Sequence, residues 1–263
     1  MSSVNSQIQD RTLSLPRIMC LHGGGTNAKI FRMQCRALIA QLKSEFRFVF
    51  AEAPFISEAG PDVMSVYNQM GPFKRWLRWK QEHPDIESER VLRELDECLE
   101  NTKLQDNELG GTGEWVALLG FSQGAKLCAS LLYRQQVRAQ KYGKHVAIQE
   151  YRFGILFAGR GPLLSLDPTL TLSPALPDVS QITDYTQNVH SQGHILRIPT
   201  IHVHGTCDPG LDFHRQLFEK LCARESRRLI EWNGEHRMPW KSNDVLLVAD
   251  AIRALAKQEN IAA

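Results

Sequence analysis

The run Trp115-Val116-Ala117-Leu118-Leu119-Gly120-Phe121-Ser122-Gln123-Gly124 decides the fold. Residues 115–119 are apolar and read as a buried strand, which empties into the pattern G-x-S-x-G. A turn from strand to helix that tight admits only glycine two residues either side of the serine. It lifts the Ser122 hydroxyl above the sheet edge. It also points the amides of the next helix at the place where an attacked carbonyl would gather negative charge. An ordinary strand-to-helix turn uses the same residue types, so these positions do not settle the matter alone.

Toward the C-terminus, residues 199–204 read as another buried strand leading into Gly205-Thr206-Cys207-Asp208-Pro209. Residues 228–232 read as a short strand followed by Asn233-Gly234-Glu235-His236. An acid after one late strand and a histidine after the next give the order Ser, Asp, His. Serine is a poor nucleophile at its own pKa, so His236 is the expected proton acceptor for Ser122. Asp208 is expected to hold the imidazole in the right tautomer. Taken singly, Asp208 reads as a turn cap and His236 as a loop histidine. Asp212 is the rival acid, but it falls in the following helix. Glu235 reads as a loop carboxylate.

Toward the N-terminus, strand 17–21 empties into His22-Gly23-Gly24-Gly25-Thr26-Asn27. Glycines there let the backbone approach a substrate and leave N–H groups free to donate. With the Gln123 amide they would make an oxyanion hole. Gly24 is the first choice for the second donor, with Gly23 and Gly25 left open. A phosphate-gripping loop is the alternative, but the stretch lacks both the G-K-[ST] ending and GxGxxG spacing. His22 is expected to support the loop through its ring nitrogens.

Between these motifs strands and helices alternate. Further strands are expected at 46–50 and 151–157, and helices at 28–42, within 85–104, from the serine to about 139, at 211–223 and at 243–257. The pattern calls for an α/β fold: a mostly parallel sheet of about six strands, with helices on both faces. Its ligands bind outside the C-terminal strand ends, where all the motif residues fall. Residues 1–15 read as a disordered tail and 16–263 as one domain.

Two insertions break the rhythm, at about 52–84 and 160–197, and both should overhang Ser122. The first carries Phe55, Trp76 and Trp79, candidates for lining an acyl-binding pocket that excludes water. For Trp76 and Trp79 a place in the core is an equal reading. Lys74, Arg75, Arg78 and Lys80 read as a solvated face, with an acidic partner domain as the alternative. In the second insertion His190 and His194 are expected at the surface.

The chain has 263 residues, 43% of them hydrophobic, and a net charge of +2. That is enough for a substantial core and too little charge to indicate nucleic acid or an anionic membrane surface. No stretch is long and apolar enough to span a bilayer, and 1–15 lacks a secretory apolar region. Six cysteines without C-x-x-C or zinc-finger spacing fit a reduced, cytoplasmic protein. Cys207, beside the candidate acid, reads as a packing residue. His202 and His204 lie two apart on a strand, but no third ligand is at useful spacing, so no metal is expected and no cofactor.

LHGGGTN from Leu21, APF from Ala53, LLGFSQGA around Ser122, HGTCDP from His204 and GEHRMP from Gly234 together resemble the serine hydrolases that include fungal LovG-type thioesterases, especially those of citrinin-type pathways. The resemblance spans about residue 17 to the last helix. It implies an α/β-hydrolase fold, carries the triad onto Ser122, Asp208 and His236, and implies hydrolysis of the thioester between a finished polyketide and its synthase. An acyl-carrier domain would then be the partner. Arg160 departs from the apolar residue expected beside Gly159, which bears on the polarity of the pocket. The alternatives are a general short-chain carboxylesterase and a non-catalytic small-molecule binder on the same fold.

Overall fold

A computed structural model describes residues 10–143, 151–167, 169, 176–183 and 193–261. Six strands form one sheet: β1 (Arg17–Leu21), β2 (Arg47–Ala51), β5 (Trp115–Phe121), β6 (Phe153–Phe157), β7 (Thr200–Gly205) and β8 (Arg227–Trp232). Their order is β2-β1-β5-β6-β7-β8, and every pairing is parallel. The chain lays β2 on one side of β1 and then crosses to place β5 on the other. The crevice at the C-terminal ends of β1 and β5 is therefore a switch point, the usual ligand site of such sheets.

The faces are covered because side chains alternate along each strand. Ile18 and Cys20 join Phe31, Leu38, Val248 and Ile252 in one core. These come from α1 (Ala28–Gln34), α2 (Arg36–Leu42) and α7 (Ser242–Gln258). Met19 and Leu21 join Leu95, Leu99, Leu127 and Leu132 in the other core, from α4 (Ser88–Glu108) and α5 (Gln123–Tyr142). The helix expected over 28–42 is broken at Cys35, and the one over 211–223 is α6 (Leu211–Gln216) followed by a wider turn over 217–221. No helix among the described residues is long and apolar enough to cross a membrane.

Residues 10–15 are not free of the fold, although they belong to the expected tail. The Thr112 amide donates to the Leu13 carbonyl at 2.7 Å, and Arg47 reaches Asp10 at 2.7 Å. Residues 1–9 lie outside the described residues. The first insertion contains a hairpin, β3 (Phe55–Ser57) with β4 (Phe73–Arg75), and α3 (Pro61–Tyr67) between them. It is tied to the glycine loop: the Gly25 amide donates to Lys74 O (2.9 Å), and the Lys74 amide to Thr26 O (2.7 Å). Much of the second insertion, with Pro168, Pro174 and His190, lies outside the described residues. Its described part buries Leu163, Leu164, Leu166, Val179 and Leu196.

Backbone approaches backbone very closely at the turn after β5. A Cβ on Gly124 would lie 2.1 Å from Leu21 O and 2.6 Å from His22 O, and one on Gly120 would lie 2.5 Å from the Ala125 amide. Both obstacles are backbone, so neither can swing away. Gly124→Ala should therefore cost about 3 kcal/mol or more, since β1 and α5 must separate. Urea unfolding measures it, and a loss below about 1 kcal/mol would mean that the approach is not tight.

Candidate active site

Ser122 stands between β5 and α5 with φ 53° and ψ −113°, a left-handed backbone that serine rarely adopts. Such a residue costs about 1–3 kcal/mol and persists only when its surroundings hold it. Here its amide donates to Phe157 O (2.8 Å) and its carbonyl accepts from the Lys126 amide (3.1 Å). The turn throws the side chain up at the C-terminal edge of the sheet. There His236 Nε2 lies 3.0 Å from Ser122 Oγ.

The other nitrogen of that ring, Nδ1, lies 2.6 Å from Asp208 Oδ2. Asp208 follows β7 and His236 follows β8, so adjacent parallel strands deliver both to one edge. The structure thus brings Ser122, His236 and Asp208 into one hydrogen-bonded line. Asp212 lies in α6, and the line passes it by.

Asp208 has more partners than the sequence suggested. Its Oδ1 accepts from the Gly210 amide (2.7 Å), and His214 Nε2 lies 2.9 Å from Oδ2, the same oxygen that meets His236. Burial raises the carboxyl's proton affinity, but the bonds from His214 and His236 outweigh it and hold Asp208 well below the usual carboxylate range. His214 is fully buried, stacks against His236 and has Gly159 O at 3.1 Å from Nδ1. Burial lowers its pKa, against the pull of Asp208. A signal for it existed: residues 214, 217 and 221 share one helical face, and Leu217 and Leu221 make that face apolar. A histidine there needs a buried polar partner.

Gly24 packs on the Gln123 side chain, with its hypothetical Cβ 3.2 Å away, which sets the loop beside the first turn of α5. Gly25 donates its amide to Lys74 O and is thereby removed from the three glycine candidates. The amides of Gly24 and Gln123 make no backbone hydrogen bond among the described residues. The Gln123 side chain has a separate task. Its Oε1 accepts from the Trp76 (2.8 Å) and Leu77 (3.1 Å) amides, and its Nε2 donates to Leu77 O (3.1 Å). It pins the first insertion to the elbow. His22 supports the loop from below, with Nδ1 2.7 Å from Gly23 O and Nε2 accepting from the Ala53 amide at 3.1 Å.

Phe55 and Trp76 line a cleft where the two insertions meet. Trp76 is fully buried and donates Nε1–H to His22 O, so it belongs to the core and the cleft wall together. Trp79 packs edge-on against His83 and is not among the residues lining that cleft. Arg160 lies over the Phe213 ring and against Gly210, beside the acid loop. Three expectations are corrected. Arg75 is buried rather than part of a solvated face, His194 is buried against the Tyr133 hydroxyl (2.8 Å), and Cys207 is exposed, with Asn233 Oδ1 at 3.2 Å.

Asp208, His214 and His236 also bring three potential metal-donor atoms within 4.8 Å of one another. The ring nitrogens that face the carboxylate are hydrogen-bonded to it, which accounts for the cluster without an ion. His202 and His204 are fully buried in β7, with His202 Nε2 3.0 Å from Thr200 Oγ1.

The family model described as Serine hydrolase (FSH1) matches residues 12–246. Esterase citA of Monascus ruber is 63% identical over 258 residues, which cover 98% of each chain. Esterase claE of Penicillium crustosum is 59% identical over 258 residues, which cover 97% of each chain. The crystal structure of a monoacylglycerol lipase from Paleococcus ferrophilus superposes with a TM-score of 0.53 over 92% of this chain and 97% of its own. At 13% identity that likeness speaks to the fold.

His204 gives the site's flank a pH signature. Both of its ring nitrogens are buried without a hydrogen-bond partner, and burial lowers its pKa from 6.5 to about 3. Between those values the unfolded chain holds the extra proton, so stability rises with pH across the window and falls on acidification. From pH 7.5 to 5, His204 should account for a loss of about 2 kcal/mol. Urea unfolding of His204→Leu at the two pH values should show that much less acid sensitivity. An unchanged pH dependence would contradict the assignment.

Proposed function

This chain belongs to the serine hydrolase (FSH1) family, and we propose that it cleaves an acyl thioester or ester through an acyl-Ser122 intermediate. The observation that carries this reading is the line from Ser122 Oγ through His236 to Asp208, at 3.0 and 2.6 Å. In it, His236 Nε2 takes the hydroxyl proton as Oγ adds to the carbonyl carbon. The amides of Gly24 and Gln123 donate to the resulting oxyanion. Collapse expels the thiol or alcohol, which leaves with the proton from His236. Water then adds to the acyl-enzyme, giving its proton to the same nitrogen, and the acid departs as Ser122 regains its proton. Asp208, anionic throughout, stabilises the imidazolium and fixes Nδ1–H toward itself.

The substrate proposed is a polyketide acyl chain on a fungal synthase, released or edited by this enzyme. The resemblance of the motifs supports it, and the fungal relatives are esterases by name. A carrier-domain partner rests on that resemblance alone. Within the basic cluster Arg78 and Lys80 are paired with Asp85 and Glu58, and Arg75 is buried, so the cluster lends a carrier domain little support. The free cysteines suit a cytoplasmic setting. We take residues 16–263 to be one domain, because the sheet runs through the chain from 17 to 232.

The test is kcat/KM for matched thioesters and oxygen esters across acyl lengths. Thioesters should be preferred, and Ser122→Ala should lose roughly 10⁴-fold or more on all of them. Near-normal turnover in that variant would remove Ser122 from its role. Better turnover of short oxygen esters would instead point to a general carboxylesterase.

A further inference from the structure

We propose that Arg75 anchors a carboxylate on the acyl part of the substrate, in the cleft where the two insertions meet. The proposal rests on the hydrolase reading above and names the chemistry of its substrate. Arg75 closes β4 and is 3% exposed. Among the described residues no carboxylate pairs with it, and its Nε is buried without a hydrogen-bond partner. Its guanidinium packs over the Phe55 ring at 5.1 Å. Arg17 and Arg47, by contrast, share Asp106, and Arg78 has Asp85. A buried cation without an anion is costly, and burial together with the neighbouring Arg78 works against its charge. A site that keeps such a group is complete when a ligand brings the anion.

The surroundings say which ligand. Arg75 and Arg78 line the cleft together with Phe55, Trp76, Val91 and Val179. The cleft has about 10 Å³ of room, one water's worth, so as it stands it takes the acidic end of a chain and not its length. A guanidinium meets a carboxylate with two parallel hydrogen bonds. The cleft is also tied to the nucleophile. The residue after Arg75 donates its amide to Gln123 Oε1, and Gln123 follows Ser122 directly. An uncharged chain end would enter the same cleft and leave the guanidinium unpaired. Arg75 therefore acts as a selector for acidic acyl chains.

Titration of Ser122→Ala protein with free half-esters of four- to eight-carbon dicarboxylic acids tests this without turnover. The best half-ester should bind about 10-fold or more tightly than its uncharged diester. Adding Arg75→Leu should close that gap, and Arg75→Lys, which keeps the charge but not the fork, should restore part of it. Should the leucine variant fail to fold, the lysine variant and the half-ester preference of the parent protein carry the test. Equal binding of half-ester and diester would overturn the proposal, as would a preference that survives in folded Arg75→Leu. So would a preference that follows a phosphate on the thiol, seen with coenzyme A thioesters against N-acetylcysteamine thioesters, and not the acyl carboxylate. Failure of the hydrolase reading looks different: the half-ester preference would stand while the protein with Ser122 intact turned over neither substrate.

Discussion

The approach of α5 to the end of β1 is the constraint on which the rest depends. With glycine at 120 and 124, the helix can start within contact of the Leu21 and His22 carbonyls. Because it starts there, Ser122 has to take a left-handed backbone, and its side chain is directed out of the sheet edge. The same closeness sets the glycine loop against Gln123, so the candidate oxyanion donors sit beside the candidate nucleophile. A looser turn would relieve the serine and would scatter these groups. Strain at one residue is the cost of their convergence.

Parallel pairing does the remaining assembly. Because β5, β6, β7 and β8 run the same way, everything that follows a strand end arrives at one edge. That is how residues 122, 208 and 236 meet from separations of up to 114 positions in sequence. Asp208 is then held from three sides, by Gly210, His214 and His236. Two imidazoles on one carboxylate oxygen make that oxygen a fixed point. His214, buried in the core, keeps Asp208 oriented, while the partly exposed His236 is placed to exchange protons with a substrate. The first insertion is joined to this arrangement through Gln123, whose side chain holds Trp76 and Leu77. Cover and nucleophile are consequently linked by direct hydrogen bonds.

What was legible in the sequence was local chemistry placed at strand ends. The apolar run before Ser122, the glycine spacing around it and the two late strands before Asp208 and His236 gave the sheet and the line of three residues. What escaped has a common physical origin in contacts that only the folded chain makes. The break at Cys35 divides a helix whose apolar period continues across it. His214 touches Asp208 six residues away, a spacing that no helical rule pairs. Arg75 sits in a run of basic residues that looks solvated, and only the hairpin with β3 turns it inward. His194 is buried by Tyr133, a residue of α5 that composition does not connect to it. Conversely, the glycine loop left Gly23, Gly24 and Gly25 open until the pairing with Lys74 occupied Gly25.

The central claim is that Ser122 is made nucleophilic by His236 under the hold of Asp208. Fluorophosphonate labelling followed by peptide mass mapping tests it most directly, with Asp208→Asn and His236→Gln beside the parent protein. The account predicts a single adduct, on Ser122, forming roughly 10³-fold or more slowly in both variants. An adduct on another residue, or equal labelling rates in all three proteins, would contradict it.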